Sequence, residues 1–242
     1  MTKKQQVVKL FRHMGYDLTR YRPSAHADAR RMRQIDAYRI DLILDVGANH
    51  GGYGKELRLS GYKGRIVSFE PLAAVYRTLE ESARGDSFWQ TMHCALGAQA
   101  GNQTIHVAAN TTSSSLLDML PAHKDAAPDA CYVGDETIQV DTLDGLYEKI
   151  FAGAKSIWLK IDTQGFEKQV LDGAASCLHL IDTVQIEVSF TPLYDGSATY
   201  LELIQFMEAQ GYEVTGMEPG FCNPDTGRLL QADFTFHRFA AK

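Results

Sequence analysis

Asp41-Leu-Ile-Leu-Asp45-Val-Gly47-Ala-Asn49-His50-Gly51-Gly52 is the segment that best indicates the architecture of this chain, together with Ile66-Val-Ser-Phe69-Glu70-Pro71. Each segment opens with a short apolar run, as buried strands of parallel sheets do, and the run ends close to an acid. A glycine-rich turn follows the first run, and Glu70 comes 23 residues after Gly47. This spacing predicts a strand–turn–helix–strand unit in which backbone N–H groups and a carboxylate surround one cofactor at the carboxyl edge of the sheet.

The turn after the first strand favours S-adenosylmethionine (SAM) over a dinucleotide as that cofactor. In the dinucleotide pattern G-x-G-x-x-G the second glycine allows close approach of a pyrophosphate, and Asn49 occupies that position here. The amino-acid part of SAM needs less room, Asp45 would meet its ammonium group through a water or a backbone amide, and Glu70 would bind the ribose hydroxyls. A turn with only a structural role and an NAD-dependent oxidoreductase are the alternatives. The segment therefore predicts a SAM-dependent methyltransferase.

Strands and helices alternate along the rest of the chain, which predicts one doubly wound α/β sheet. Two helices, at 2–13 and 26–39, are expected before the first strand, and a closing antiparallel pair is expected at 212–217 and 233–238. Residues 110–135 contain five consecutive threonines and serines and two prolines. They predict a long irregular loop that closes over a bound ligand.

Charge is divided unevenly along the sequence, which separates a basic helical extension (1–40) from a methyltransferase domain (41–242). The extension holds three lysines, seven arginines and three acids, a net charge of +7, whereas the whole chain carries −6. A solvated helical arm would explain this charge. The alternative is an arm that approaches an anionic acceptor or makes peripheral contact with a membrane surface. Nucleic acid is not favoured as a partner, because the remaining residues are acidic.

A second informative segment is Lys160-Ile-Asp162-Thr-Gln164-Gly165-Phe-Glu167. Asp162 follows an apolar run and is expected at the edge of the sheet where the methyl group would lie. A hydroxyl group is a poor nucleophile, so its methylation requires alignment and removal of its proton. Asp162 would act as the base, position the acceptor, or bind a divalent metal such as Mg²⁺, and Glu187 is the second candidate. His50 is a further catalytic candidate, with a simple turn residue as the alternative.

Several other classes of protein lack support. The histidines show no zinc-ligand spacing, and neither G-x-S-x-G nor a phosphate-binding loop occurs. The four cysteines include no C-x-x-C, as expected for a protein with reduced thiols. The first ten residues have no apolar core, and no later run reaches the length of a membrane span. We therefore expect a cytoplasmic protein with no transmembrane segment.

These segments together resemble the FkbM family of SAM-dependent methyltransferases. The matching pieces cover roughly residues 41–190 in order. They are Leu44-Asp45-Val-Gly-Ala-Asn49-x-Gly51, Phe69-Glu70-Pro71, Ala95-Leu96-Gly97, Ser113-Ser-Ser115-Leu116, Val140-Asp-Thr-Leu143-Asp144, Leu159-Lys160-Ile-Asp162-x-Gln164-Gly165-Phe166-Glu167 and Val170-Leu171-x-Gly173-Ala174. The later segments Pro192-Leu-Tyr194, Gly220-Phe221 and Thr226-Gly227-Arg228 are similar to the subgroup that acts on bacterial glycans.

The resemblance implies a Rossmann-like class I SAM-dependent methyltransferase fold, with a mostly parallel seven-stranded sheet and an antiparallel last strand. It places SAM at the carboxyl edge, along Asp45, Gly47, Ala48, Asn49, Gly51, Tyr53, Glu70, Pro71, Ala95, Leu96 and Asp162. The acceptor is expected at Ser114, Ser115, Gln164, Tyr194, Phe221 and Arg228. Aromatic faces stack on sugar rings, and an arginine pairs with an anionic group.

The function expected from the resemblance is O-methylation of a carbohydrate hydroxyl, on a glycan or on a lipid- or nucleotide-linked sugar. O-methylation of a polyketide or another small natural product is the alternative within the same class. A SAM-binding regulator without turnover is the alternative from a different class, although both expected acids are present. Metal use and assembly into a homo-oligomer are left open by the sequence. Asp233-Phe234-Thr departs from the expected Asp-Gly and leaves the packing of the last strand open.

Overall fold

The computed structural model describes residues 2–18, 21–22, 24 and 26–239. Its helices are α1 (Lys3–His13), α2 (Ala27–Ala37), α3 (Gly52–Leu59), α4 (Ala73–Ala83), α5 (Pro121–Ala126), α6 (Leu143–Phe151), α7 (Glu167–Asp172) and α8 (Tyr200–Ala209). Its strands are β1 (Leu42–Val46), β2 (Arg65–Phe69), β3 (Trp89–Met92), β4 (Ala95–Leu96), β5 (Gly101–Ala108), β6 (Tyr132–Asp141), β7 (Ile157–Ile161), β8 (Thr183–Ser189), β9 (Glu213–Pro219) and β10 (Gln231–His237).

The main sheet has seven strands in the order β3-β2-β1-β7-β8-β10-β9. The first five of these are parallel to one another, and β10 runs antiparallel to both β8 and β9. Every residue of β1 and β7 is buried, as expected for central strands that are covered on both faces. This confirms the predicted architecture, including the antiparallel last strand.

A second, three-stranded sheet in the order β4-β6-β5 was not predicted. Its long antiparallel pair follows from the alternation of half-exposed residues in β5, but the partner strand β6 begins at Tyr132. The prediction of an irregular loop over 110–135 is therefore wrong in part. The segment contains α5, and backbone bridges join His106 to Ser115 and Met119 to Tyr194. These contacts hold the segment over the carboxyl edge of the main sheet.

Helices cover both faces of the main sheet. Residues from α6, α7 and α8 pack with one set of strand side chains, including Leu159 and Ile161. Residues from α2, α3 and α4 pack with the opposite set, including Ile43 and Trp158. Helix α7 ends at Asp172, and a 3₁₀ turn follows at Leu178–Leu180.

The predicted amino-terminal helices are present as α1 and α2. Arg20 and the side chain of Lys3, which contribute to the basic charge of this segment, lie outside the described residues. Ile35 of α2 is buried against the main sheet, and the Gln34 side chain donates to the Thr215 carbonyl. Among the described helices, none is long and apolar enough to cross a membrane. The division of the chain at residue 40 stays a prediction.

Candidate active site

Three clefts meet at the carboxyl ends of the central strands. The first, which we name the Glu70 cleft, holds about 580 Å³ of space free of protein atoms, part of it open to solvent. One end is largely apolar, and its lining is Phe69, Glu70, Pro71, Leu72, Ala95, Leu96, Ile105, Leu116 and Phe166. A single carboxylate in an apolar slot suits a ligand with a flat apolar ring and a few hydroxyl groups.

Glu70 is held by backbone N–H groups at the end of β2. Its Oε1 accepts from the Leu72 N–H at 2.9 Å, and its Oε2 accepts from the Asn49 N–H at 2.9 Å. Burial raises the pKa of Glu70 to about 7, because desolvation of the carboxylate outweighs the two hydrogen bonds. Each oxygen keeps a free lone pair, so this carboxylate can still accept hydrogen bonds from a ligand.

The tips of β1 and β7 touch at Gly47. This residue has a φ of +77°, and a Cβ built on it would lie 1.9 Å from the Asp162 carbonyl oxygen. The Asp162 N–H also donates to the Val46 carbonyl at 3.1 Å. Only glycine fits both the conformation and the contact. The segment with the predicted glycine turn and the segment that contains Asp162 therefore meet at Gly47.

The second cleft, which we name the Glu187 cleft, is lined mainly by polar groups. They are Asn110, Thr112, Ser113, His123, Gln164, Glu187 and Gln231, with Ala127 and the ring of Phe221. The rings of His123 and Phe221 lie 5.3 Å apart. Burial lowers the pKa of His123, which keeps its imidazole neutral. Polar groups beside two rings suit a ligand with several hydroxyl groups on a compact ring.

Gln164 joins the two predicted acids. Its Nε2 donates to Asp162 Oδ1 at 2.9 Å and to Glu187 Oε2 at 2.9 Å, while its Oε1 accepts from the Tyr194 hydroxyl at 2.8 Å. Gln231 Nε2 donates to the same Glu187 oxygen at 2.7 Å. Among the described residues, none donates to Glu187 Oε1, so this oxygen is free to act on a ligand in the Glu187 cleft.

The electrostatics of the two acids differ. Burial raises the pKa of Glu187 well above its usual value, and the charges of Asp162, Glu167 and Asp233 raise it further. Asp162 has a cation beside it, because Lys160 Nζ lies 3.3 Å from its Oδ2. Glu187 is thus the better proton acceptor near neutral pH, whereas Asp162 is held in place by Lys160 and Gln164.

Lys160 also changes the role expected for Asp45. Strands β1 and β7 pair in a register that sets Asp45 opposite Lys160, and Lys160 Nζ lies 3.2 Å from Asp45 Oδ1. Ser68 Oγ donates to the other carboxylate oxygen. Asp45 is 0% exposed and lines none of the clefts, so its carboxylate serves a buried ion pair. A contact with a ligand ammonium group would therefore run through a water or a backbone amide, and this role of Asp45 stays a prediction.

Strained backbone conformations are concentrated at the Glu70 cleft. Among the residues that the structure describes, four non-glycine residues have positive φ. Three of them, Asn49 (48°), Thr111 (55°) and Gln164 (56°), line the Glu70 cleft. Asn49 Nδ2 donates to Thr111 Oγ1 at 3.4 Å, so two of these residues are in contact. Strained conformations persist where the surrounding structure enforces them, and they often mark functional sites.

The structure brings most of the predicted site residues together. Those that line the Glu70 cleft are Gly47, Asn49, Glu70, Pro71, Ala95, Leu96, Ser114, Asp162 and Gln164. Those that line the Glu187 cleft include Asp162, Gln164, Glu187 and Phe221. Two other predicted residues hold Gln164 by hydrogen bonds. Ser115 Oγ donates to its carbonyl at 2.7 Å, and the hydroxyl of buried Tyr194 donates to its side chain.

The remaining predicted residues lie elsewhere. Gly51 caps α3 and faces Leu79 and Trp89, away from the clefts. Arg228 lines neither cleft, and its guanidinium donates to Thr191 Oγ1. Ala48, His50 and Tyr53 line a third cleft described below, and the exposed His50 does not reach Glu187.

Sequence reasoning missed several residues of the two clefts. They are Leu72, Thr111, Thr112, Thr163, Phe166, Asn110, His123 and Gln231. Phe166 and Thr163 belong to the Asp162 segment, so their position in that motif was a usable signal. Gln231 reaches Glu187 only because β10 pairs with β8 in a register that sets it opposite Ser189. No local pattern indicates this pairing.

Within the described residues, no three His, Cys, Asp or Glu side chains are arranged to hold a metal ion. Asp162 and Glu187, the two predicted ligands, both accept hydrogen bonds from the Gln164 amide. The use of Mg²⁺ stays a prediction.

A family model described as "Methyltransferase FkbM domain" matches residues 45–214 of the chain. Curated protein sequences contain no significant match. The fold is similar to Sp1610 of Streptococcus pneumoniae in complex with SAM, at 9% identity, with 88% of this chain and 74% of that chain covered and a TM-score of 0.48. It is also similar to Aeropyrum pernix fibrillarin with natively bound SAM, at 13% identity, 81% and 66% coverage and a TM-score of 0.45.

Proposed function

This chain belongs to the FkbM methyltransferase family, and we propose that it methylates a hydroxyl group of a neutral carbohydrate. The chain is a SAM-dependent methyltransferase, and the proposal concerns its acceptor. The lining of the Glu187 cleft supports a carbohydrate acceptor, because amide, hydroxyl and carboxylate groups lie there beside two rings. An acceptor with few hydroxyl groups, such as an apolar aromatic polyketide, would leave polar groups of this lining without partners, at a cost in binding.

The Glu70 cleft fits SAM, the cofactor of these methyltransferases. Glu70 has the free lone pairs that two ribose hydroxyls require, and Leu96 and Phe166 offer apolar surfaces to the adenine ring. Gly47 has no side chain where the cofactor must approach the sheet, and a Cβ there would already meet Asp162. The residues shared by the Glu70 and Glu187 clefts, where cofactor and acceptor would meet, are Gly47, Asn49, Thr112, Asp162 and Gln164.

SAM, when bound, supplies a methyl group that the acceptor oxygen takes as the carbon–sulfur bond breaks, which leaves S-adenosylhomocysteine. Glu187 Oε1 accepts the proton that the hydroxyl group loses, while Oε2 stays fixed by Gln164 and Gln231. The raised pKa of Glu187 makes it a stronger base than an exposed glutamate. Asp162 lies at the junction of the clefts, where it would position the acceptor and favour binding of a positively charged cofactor.

The experiment is transfer of a tritiated methyl group from SAM to neutral sugars, nucleotide-linked sugars and cell-envelope glycan fractions. We expect incorporation into a carbohydrate, and a Glu187→Gln variant whose kcat falls by about 100-fold or more. The wild-type rate should rise with pH as Glu187 loses its proton, and the variant should lose this dependence. Glu208→Gln, on an exposed face of α8, is the matched control.

SAM affinity is measured in parallel by calorimetry, so that loss of the base is separated from loss of the fold. Methylation of an apolar aromatic scaffold with no transfer to any sugar would overturn the carbohydrate proposal. Normal turnover by Glu187→Gln would remove the base from the mechanism and leave the family assignment intact.

A further inference from the structure

A third cleft opens from the same junction. It shares Gly47, Asn49, Thr112 and Asp162 with the other two clefts, and we name it the Arg31 cleft. Its other lining residues include Arg31 from α2, Tyr53 and Glu56 from α3, and Lys160 from β7. The predicted residues Ala48 and His50 also lie on its wall.

Arg31 is a buried cation with unused donor capacity. The residue is 8% exposed, and its Nε has no hydrogen-bond partner among the described residues. Its guanidinium lies over the Tyr53 ring, with Cζ 5.0 Å from the ring centroid. Nη2 donates to Asp28 Oδ1 at 2.8 Å and to Glu56 Oε2 at 3.3 Å. An unpaired buried donor is costly, so its presence on a cleft wall points to a ligand that completes it.

Charges of both signs line the cleft, with Glu56, Asp162 and Asp233 beside Arg31 and Lys160, so the case for an anionic ligand rests on the free donor of Arg31. Lys160 is already paired with the carboxylates of Asp45 and Asp162, so its charge is matched within the protein. The two acids that contact Arg31 have side chains that are 53% and 58% exposed, and exposed pairs of this kind are weak. The cleft also reaches Gly52, where α3 begins and the first N–H groups of a helix favour negative charge.

We propose that Arg31 binds the α-carboxylate of the amino-acid chain of SAM. The inference rests on the proposed function, because it takes SAM as the cofactor of this site. A sulfonium carries three substituents, and three clefts meet at one junction. With adenosine in the Glu70 cleft and the methyl group directed at the Glu187 cleft, the amino-acid chain is left with the Arg31 cleft. Arg31 lies outside the matched residues 45–214, so the family model does not assign it.

The experiment compares two ligands that differ by the amino-acid chain. S-Adenosylhomocysteine carries it, whereas 5′-methylthioadenosine lacks it. Calorimetry is done on the full chain with wild type, Arg31→Met and Arg33→Met. Methionine keeps an apolar stem that can pack on Tyr53, and Arg33 is an exposed residue of the same helix.

We expect Arg31→Met to bind S-adenosylhomocysteine about 10- to 100-fold more weakly, as for loss of a charged hydrogen bond, and 5′-methylthioadenosine nearly as tightly as wild type does. Arg33→Met should bind both ligands as wild type does. For wild type, decarboxylated SAM should bind more weakly than SAM by a similar factor, and Arg31→Met should add no further loss for it.

Equal weakening of both ligands by Arg31→Met would mean that Arg31 only supports the fold, and it would overturn the inference. Unchanged binding of S-adenosylhomocysteine would overturn it as well. In both cases wild-type binding and methyl transfer would leave the proposed function standing. If wild type bound neither ligand, the cofactor assignment itself would fail, and the inference with it.

Discussion

Replacement of Gly47 by alanine tests whether the tips of β1 and β7 touch as the structure requires. The substitution adds one methyl group at a φ of +77° and 1.9 Å from the Asp162 carbonyl oxygen. Gly153→Ala is the matched control, because Gly153 has a φ of +78° and its added Cβ would meet nothing within 4 Å. The two variants therefore share the conformational cost and differ in the contact.

The expected losses of stability follow from the left-handed conformation and from the contact with Asp162. A left-handed conformation costs alanine about 1–2 kcal/mol, partly offset by the lower entropy of the unfolded chain. We therefore expect Gly153→Ala to lower the free energy of unfolding by about 1 kcal/mol. In Gly47→Ala the strand tips must also separate, which adds about 1–3 kcal/mol of overpacking strain. Loss of the hydrogen bond between the Asp162 N–H and the Val46 carbonyl would add about 1 kcal/mol more.

The assay is urea denaturation followed by far-ultraviolet circular dichroism, with SAM affinity measured on the folded variants. Gly47→Ala should be less stable than Gly153→Ala by about 2–4 kcal/mol. It should also bind SAM more weakly, because the separated tips displace the junction of the clefts. Equal destabilisation by the two substitutions would show that the tips of β1 and β7 are not in contact, and the description of the junction would then be wrong.

Two further predictions concern buried charges. Burial raises the pKa of Glu70 to about 7, so its carboxylate gains a proton as the pH falls through that value and loses an acceptor for the ribose. The affinity of wild type for SAM, measured by calorimetry, should therefore drop below about pH 7. Glu70→Gln should show no such change. Lys160→Met leaves the buried Asp45 carboxylate without a cation and should lower the free energy of unfolding, measured by urea denaturation, by about 3–5 kcal/mol. Lys168→Met removes a more exposed pair with Asp172 and should lower it by at most about 1 kcal/mol. Similar losses in the two variants would contradict the buried ion pair.

The main sheet could be predicted because its strands carry a strong local pattern. The apolar runs that end near Asp45, Glu70 and Asp162 are short and are followed by turns, and parallel strands place such ends at one edge. The second sheet could not be predicted in the same way. Strand β6 alternates weakly, and its pairing with β5 depends on contacts between residues far apart in the chain. Long-range pairing outweighs local propensity there.

Candidate residues that follow a strand end lie at the clefts, whereas contacts that depend on strand register were not expected. Asp45 was expected to face the cofactor, but the pairing of β1 with β7 places Lys160 beside it. Gln164 was expected to contact the acceptor, and the structure shows that it also holds both acids. A side chain's partner across a sheet is set by the relative shift of two strands, which a single segment does not indicate.

The three clefts draw on different parts of the chain, and this division bears on specificity. The junction and the Glu70 cleft are built from residues within the matched range 45–214. Arg31 comes before that range, and Phe221 and Gln231 come after it. Changes at Phe221 and Gln231 would alter which acceptor fits while the strand tips at the junction of the clefts stay in place. Relatives that share the junction are therefore expected to share the reaction, and to differ in acceptor according to the residues that correspond to Phe221 and Gln231.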